Sequence, residues 1–309
     1  MNAPRRAPRR HVDGVILLDK PLGFSSNQAL QTVRRLYNAE KAGHTGTLDP
    51  LATGLLPLCF GEATKFSGEL LNADKRYVAR IKLGIETDTC DAEGRVLIVH
   101  PVISTENDVL AVLQKFVGDI EQIPPMHSAL KRDGKPLYEY ARAGIELERA
   151  PRRITIFSLT LVAWNPEPDT LDVEVHCSKG TYVRTLALDI GRQLGCGAHL
   201  SALRRTAIGR LSIAAAHTLE RIESLVDVGR DALLQSVDSL IAELPEVELT
   251  NEDSRKILQG QPIRYSRPNE LIQPFEACRV RLYSAERKFL GVGLLGEEGG
   301  LKPERLLAS

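Results

Sequence analysis

The stretch Gly43-His44-Thr45-Gly46-Thr47-Leu48-Asp49-Pro50-Leu51-Ala52-Thr53-Gly54 surrounds a single acid with glycines and a proline. Glycine lets backbone come close to a ligand, and proline stiffens the chain just after Asp49. A carboxylate held in this way can act as a nucleophile or stabilise an electron-poor carbon. By spacing alone, the stronger reading is a structural turn in which Asp49 accepts backbone N–H bonds. His44, five residues earlier, has no second His or Cys at ligand spacing, so no metal-site pattern is present. Taken singly, Arg184 reads as a surface helix arginine, and Tyr77 and Leu203 as core side chains.

Such a loop needs a frame. Gly14–Leu18 reads as a buried strand, and Ser25 or Ser26 caps a helix reaching Tyr37. The composition of 43–54 predicts a loop throughout. Tyr77–Leu83 alternates as a strand, with Val96–Val99 as its hairpin partner beyond a turn at Asp91–Gly94. Ser104 opens a helix to Phe116. The Pro-bounded stretch 124–151, bearing Lys131, Arg132, Lys135 and Arg142, reads as an inserted mobile arm with a short helix over 137–143. Strands at 154–163 and 171–176 follow, then a helix capped by Thr181 and ending at Leu194. After about residue 245 the pattern changes to one helix (251–258) and short strands at 278–283 and 289–295. Helices and strands mix without βαβ alternation, so the fold class is α+β.

The chain has 309 residues, 43% hydrophobic and 26% charged, as expected of a globular protein with one large and one small domain. Its net charge is zero, so nucleic-acid binding would have to rest on local clusters. Two exist: Arg5, Arg6, Arg9 and Arg10, and Arg204, Arg205 and Arg210. Five cysteines without a C-x-x-C pair argue against zinc ribbons and disulfide frameworks and point to a reduced, cytoplasmic setting. No apolar run approaches a membrane span of roughly 18 residues.

Gly46-Thr47-Leu48-Asp49-Pro50-Leu51-Ala52-Thr53-Gly54 closely resembles the signature loop of pseudouridine synthases, in the wording of the TruB family. The resemblance continues through Asp19-Lys20-Pro21-Leu22-Gly23-Phe24-Ser25-Ser26, Lys75-Arg76-Tyr77, Ser178-Lys179-Gly180-Thr181-Tyr182-Val183-Arg184-Thr185-Leu186 and Leu203-Arg204-Arg205-Thr206. Ser25 stands where the family often has Thr. Residues 1–10 read as a flexible basic tail, and the resemblance implies a mixed, largely antiparallel sheet in a catalytic domain over 11–245 and a PUA-like RNA-binding domain over 248–309. It implies isomerisation of uridine to pseudouridine at position 55 of tRNA, with Asp49, Tyr77 and Arg184 catalytic. It also implies that His44, Lys20, Tyr182, Leu203, Arg204 and Arg205 bind substrate, the last two gripping phosphate. Expected partners are the tRNA T arm, without membrane, metal, cofactor or obligatory protein partner. An RNA chaperone would use the same arm and C-terminal module, and the guide-RNA branch of the family is a further alternative.

Overall fold

The computed structural model describes residues 8–265 and 277–308. Residues 1–7, with Arg5 and Arg6 of the expected tail, lie outside this range. Arg10 does not belong to a loose tail: its N–H donates to the Asn38 carbonyl at 2.7 Å, and its guanidinium reaches Asp231 at 2.5 Å.

In chain order the elements are β1 (Gly14–Lys20), α1 (Ser26–Leu36), β2 (Ala42–His44), β3 (Ala52–Phe60), β4 (Lys75–Leu83), β5 (Ile85–Thr87), β6 (Val96–Val99), α2 (Glu106–Lys115), β7 (Gly118–Gln122), β8 (Lys131–Arg132), β9 (Lys135–Pro136) and α3 (Leu137–Arg142). There follow β10 (Arg152–Asn165), β11 (Thr170–Cys177), α4 (Val183–Gln193), β12 (Ala198–Ile208), β13 (Leu211–Ser212), β14 (His217–Thr218), α5 (Leu219–Glu223) and α6 (Asp227–Asp231). The remainder is β15 (Glu246–Leu249), α7 (Asn251–Leu258), β16 (Ile263–Arg264), β17 (Cys278–Ser284), β18 (Phe289–Leu295) and β19 (Gly300–Leu306). The main sheet runs β14-β1-β3-β12-β4-β11-β10-β7. Only β1/β14 and β3/β12 pair in parallel, so the fold is α+β with a mixed, largely antiparallel sheet.

β1 shows why the sheet is covered on both faces. Successive side chains point to opposite sides, and in Val15-Ile16-Leu17-Leu18 all four are buried. Ile16 and Leu18 enter a core with α1 and α5, whereas Val15 and Leu17 enter one shared with β17 and β18. A third core packs α2 and α4 against β4, β10 and β11. α1 opens with a reciprocal capping box, Gln28 N–H to the Ser25 hydroxyl and Ser25 N–H to the Gln28 side chain, a motif whose cap alone stabilises a helix by about 1 kcal/mol.

Several expectations need correction. The 43–54 segment is not loop throughout, since β2 ends at His44 and β3 begins at Ala52. β6 pairs with β5 and not with β4, because β11 and β12 already occupy both edges of β4. Thr105, not Ser104, caps α2. Thr181 does not cap α4: its hydroxyl turns back to the Ser178 carbonyl at 3.0 Å, leaving Tyr182 at the cap position. β12, at the centre of the sheet, gives no clear strand signal because charged Arg204 and Arg205 interrupt its alternation.

The C-terminal segment forms its own five-stranded sheet, β15-β17-β18-β19-β16, as a β half-barrel with a core of Val247, Leu249, Ile257, Val280, Leu282 and Leu295. Tyr283, Phe289 and Val292 nevertheless pack with Val15, Leu17, Leu55 and Phe66 of the main unit. Burying a large apolar side chain contributes about 1.5–3 kcal/mol. Arg281 pairs with buried Asp238 at 2.7 Å and Arg279 with Glu69 at 2.8 Å across the same junction. The two units are thus joined by shared core and charge.

Candidate active site

Between the two cores in front of the main sheet lies a seam. Tyr77 on β4 and Leu203 on β12 are half-buried there, each packing against both cores. Their neighbours fix the signature loop from below. β12 pairs with β3 in parallel, Leu203 opposite Ala52 and Arg205 opposite Gly54, and with β4 antiparallel, Arg205 opposite Tyr77. Gly54 has φ +99°, and a Cβ there would lie 2.3 Å from the Arg205 carbonyl oxygen. Glycine is therefore required for the strands to meet.

The loop between Thr45 and Leu51 is held by polar contacts to its backbone. Ser26, buried at the start of α1, accepts from the Leu48 N–H at 2.7 Å and donates to the Leu48 carbonyl at 3.0 Å. The Gly23 N–H reaches the Pro50 carbonyl at 2.9 Å, and the Ala52 N–H closes a turn on the Asp49 carbonyl at 3.0 Å. Gly46 has φ +79°, the left-handed bend that begins the turn. The frame leaves the Asp49 side chain 43% exposed.

Arg184 meets that carboxylate, Nε to Oδ2 at 3.1 Å. Its guanidinium is otherwise enclosed: Nη2 donates to the His127 carbonyl at 2.7 Å, and Nη1 lies 3.3 Å from the Thr89 carbonyl and 3.4 Å from Asp91 Oδ2. Asp91 is itself buried, accepting from the Thr89 hydroxyl at 2.6 Å and the Glu93 N–H at 3.1 Å. An arginine fixed on three sides presents its last edge to Asp49, holding the carboxylate in one orientation. The sequence places Asp91 in a turn. Nothing in its local pattern separates it from an ordinary turn aspartate, because its partner lies 93 residues away.

Lys20, at the end of β1, is fully buried, and its ammonium donates to the Pro21 and Phe24 carbonyls at 2.9 and 2.5 Å. Burial lowers its pKa to about 8, with the charge of Asp49 acting in the opposite sense. Loss of solvent raises the Tyr77 phenol above its usual value, while the nearby Arg205 cation pulls it down. Tyr182 is half-buried, and burial raises its phenol likewise. His44 ends β2 with Nδ1 buried and unpartnered among the described residues, and burial lowers its pKa, favouring the neutral ring.

The expected phosphate grip at Arg204 and Arg205 is not what the fold provides. Arg205 is only 2% exposed, its Nε donating to the Leu55 carbonyl at 2.8 Å and its Nη1 lying 3.5 Å from the Thr47 carbonyl. It braces the signature loop from inside. Arg204 points to the opposite face of β12 and forms a two-bond pair with Asp19, at 3.0 and 2.6 Å. Alternation along the strand sends one inward and the other outward. Among the described residues no group of three or more His, Cys, Asp or Glu side chains is placed to hold a metal ion.

Family models cover most of the chain: the TruB family pseudouridylate synthase N-terminal domain matches residues 34–183, the tRNA pseudouridylate synthase B C-terminal domain 184–244, and the pseudouridine synthase II TruB C-terminal model 245–307. The chain belongs to the TruB family of pseudouridine synthases. Over 99% of its length it is 57% identical to the protein named tRNA pseudouridine synthase B from Azoarcus sp. (strain BH72), covering 98% of that protein. The protein of the same name from Ralstonia nicotianae (strain ATCC BAA-1114 / GMI1000) is 56% identical over 98% of this chain and 96% of its own. The fold also matches a chain in the solved structure titled "Crystal Structure of a Cbf5-Nop10-Gar1 Complex", with TM-score 0.71, 24% identity, and coverage of 96% of this chain and 85% of that one. In this TruB-family chain the signature segments bring Arg184 to 3.1 Å from Asp49, with Lys20, Tyr77 and Tyr182 near enough to feel its charge and Leu203 packed at the same seam as Tyr77.

Proposed function

We propose that this chain isomerises uridine to pseudouridine at position 55, in the T loop of tRNA. Uridine-to-pseudouridine isomerisation in tRNA is the activity of the full-length relatives named tRNA pseudouridine synthase B. The position and the residue roles are our reading. The observation that carries it is the half-open Asp49 carboxylate on the enclosed Arg184 guanidinium at 3.1 Å, with Tyr77 near enough to feel its charge and Leu203 beside Tyr77 at the seam between the two cores.

The reaction breaks the bond from sugar C1′ to uracil N1, turns the base, and joins C1′ to C5, whose proton leaves as N1 gains one. Nothing is oxidised or reduced, and one carboxylate suffices to act on the nucleoside. Asp49 supplies it, with Arg184 keeping it ionised and oriented. The Tyr77 ring stacks on the uracil, and Leu203 and Tyr182 complete the pocket. Reaching C1′ requires flipping the nucleotide out at a cost of a few kcal/mol, and neutral His44 fills the vacated space. Lys131 and Arg132, exposed on the β8/β9 hairpin, bind phosphates together with Lys135 and Arg142, which lie over the Tyr140 and Tyr138 rings at 4.8 and 5.3 Å. The C-terminal half-barrel binds RNA as a PUA-like module. Among the described residues no helix is long and apolar enough to cross a membrane. We place the enzyme in the cytoplasm, acting without an obligatory protein partner.

The test is to incubate the purified protein with an unmodified tRNA transcript and map pseudouridine at nucleotide resolution. Modification at position 55 is expected. Modification only elsewhere, or none, overturns the assignment.

A further inference from the structure

The N-terminus of α4 sets the position of both Tyr182 and Arg184, yet it lacks the usual device for holding a helix start. In α1, Gln28 of the first turn accepts the N–H of the cap residue, Ser25, at 2.8 Å. At α4 the cap residue is Tyr182, which has no side-chain cap bond, and Thr181 is turned away to Ser178. The missing partner comes from a distant strand. Gln122, the last residue of β7 and only 2% exposed, accepts the Tyr182 N–H at 2.8 Å and donates from Nε2 to the Tyr182 carbonyl at 3.1 Å. One amide side chain therefore satisfies both backbone groups of Tyr182, 60 residues away.

We infer that Gln122 is a positioning residue for the isomerisation: it fixes the start of α4 and, two residues on, the guanidinium that orients Asp49. Its place in the fold gives this a second consequence. Gln122 pairs in register with Arg152 of β10, so it stands at the neck where the 124–151 arm leaves and rejoins the sheet. Five residues further, the His127 carbonyl bonds Arg184 directly. The root of the arm thus grips the catalytic arginine at two points, one through Tyr182 and one at its own Nη2. The inference rests on the roles proposed above for Arg184 and Asp49.

The experiment compares Gln122→Met, which keeps length and volume but makes neither bond, and Gln122→Ala with the wild type. Single-turnover pseudouridine formation is measured at saturating tRNA, alongside tRNA Kd and thermal melting. A displacement of about 1 Å at a reacting group can cost on the order of 100-fold, so both variants should lose about 10- to 100-fold in rate with Kd held within about twofold. Arg184→Lys is combined with Gln122→Met. If Gln122 acts through Arg184, the double variant loses much less than the product of the single losses. Rates near wild type in a folded Gln122→Met protein overturn the inference, as do losses that multiply in the double variant, or weaker binding with unchanged rate. Should Gln122→Ala fail to fold, the Met variant and its double carry the test. A wild-type control that forms no pseudouridine removes the underlying function and this inference with it.

Discussion

The signature loop and the 124–151 arm are both connections between strands of one sheet, yet they are built on opposite principles. Around Asp49, Ser26 bonds both backbone groups of Leu48, Arg205 braces Thr47 and Leu55 from the interior, and Leu48 is 4% exposed. In the arm, Lys131, Arg132, Asp133 and Gly134 are all exposed, and Leu137 is the buried side chain of its short helix. On the roles proposed here, the loop must hold one carboxylate to a fraction of an ångström, because catalysis depends on geometry. On the same reading, the arm must find phosphates by charge, which acts over several ångströms and tolerates movement. Changes in the loop should therefore appear in turnover, and changes in the arm in affinity.

The largest expected effect is at Asp49. Asp49→Asn keeps the shape and removes the charge, so turnover should fall by at least about 10³-fold, or roughly 4 kcal/mol, while tRNA Kd stays near wild type. Single-turnover assays with parallel filter binding decide it; comparable turnover in the two proteins would remove Asp49 from its role.

Arg205 and Arg204 sharpen the contrast because they are adjacent in sequence. Arg205→Met leaves a buried carbonyl unsatisfied, which costs about 1–3 kcal/mol, and frees the loop, so turnover should drop by about 10-fold or more and melting should shift downward. Arg204→Met removes a pair that is 44% exposed on the arginine side, worth under about 1 kcal/mol, and should leave turnover near wild type. Equal defects would mean that burial does not separate their roles.

Lys131→Ala with Arg132→Ala should weaken tRNA binding and flatten the dependence of log Kd on log salt by about 0.7–0.9 for each phosphate no longer neutralised. Turnover at saturating tRNA should change less than about twofold. Reduced turnover with an unchanged salt slope would place these residues in the chemistry.

The smallest effect concerns stability and pH. Burial holds the His44 pKa below the ordinary histidine value of 6.5, so between the two values the unfolded chain binds more protons. Stability contributed by the neutral ring is complete above about 6.5 and is lost as pH falls toward the lowered folded value. His44→Gln, which does not titrate, should show a shallower loss of stability from about pH 7 to about pH 5 in urea unfolding. An identical slope would refute the neutral, half-buried assignment.

Much of this protein is determined by local sequence. The start of α1 is narrowed to Ser25 or Ser26, the β4 strand is read from its alternation, and the arm from its prolines and charge, because each signal is carried within a few residues. The resemblance of the loop marks Asp49, and the Lys-Gly-Thr-Tyr-Val-Arg segment marks Arg184. Tertiary structure alone decided where Arg205 points, which strand partners β6, and that Asp91, Gln122 and the His127 carbonyl surround or set Arg184. Apart from the β5/β6 pairing, those contacts join residues 57 to 158 positions apart. A side chain's partner at such separation depends on which strands become neighbours, and in this sheet β3 meets β12 only because the chain returns across 138 positions from Phe60 to Ala198. Composition and periodicity specify what each segment can bury; only the closed sheet specifies against what.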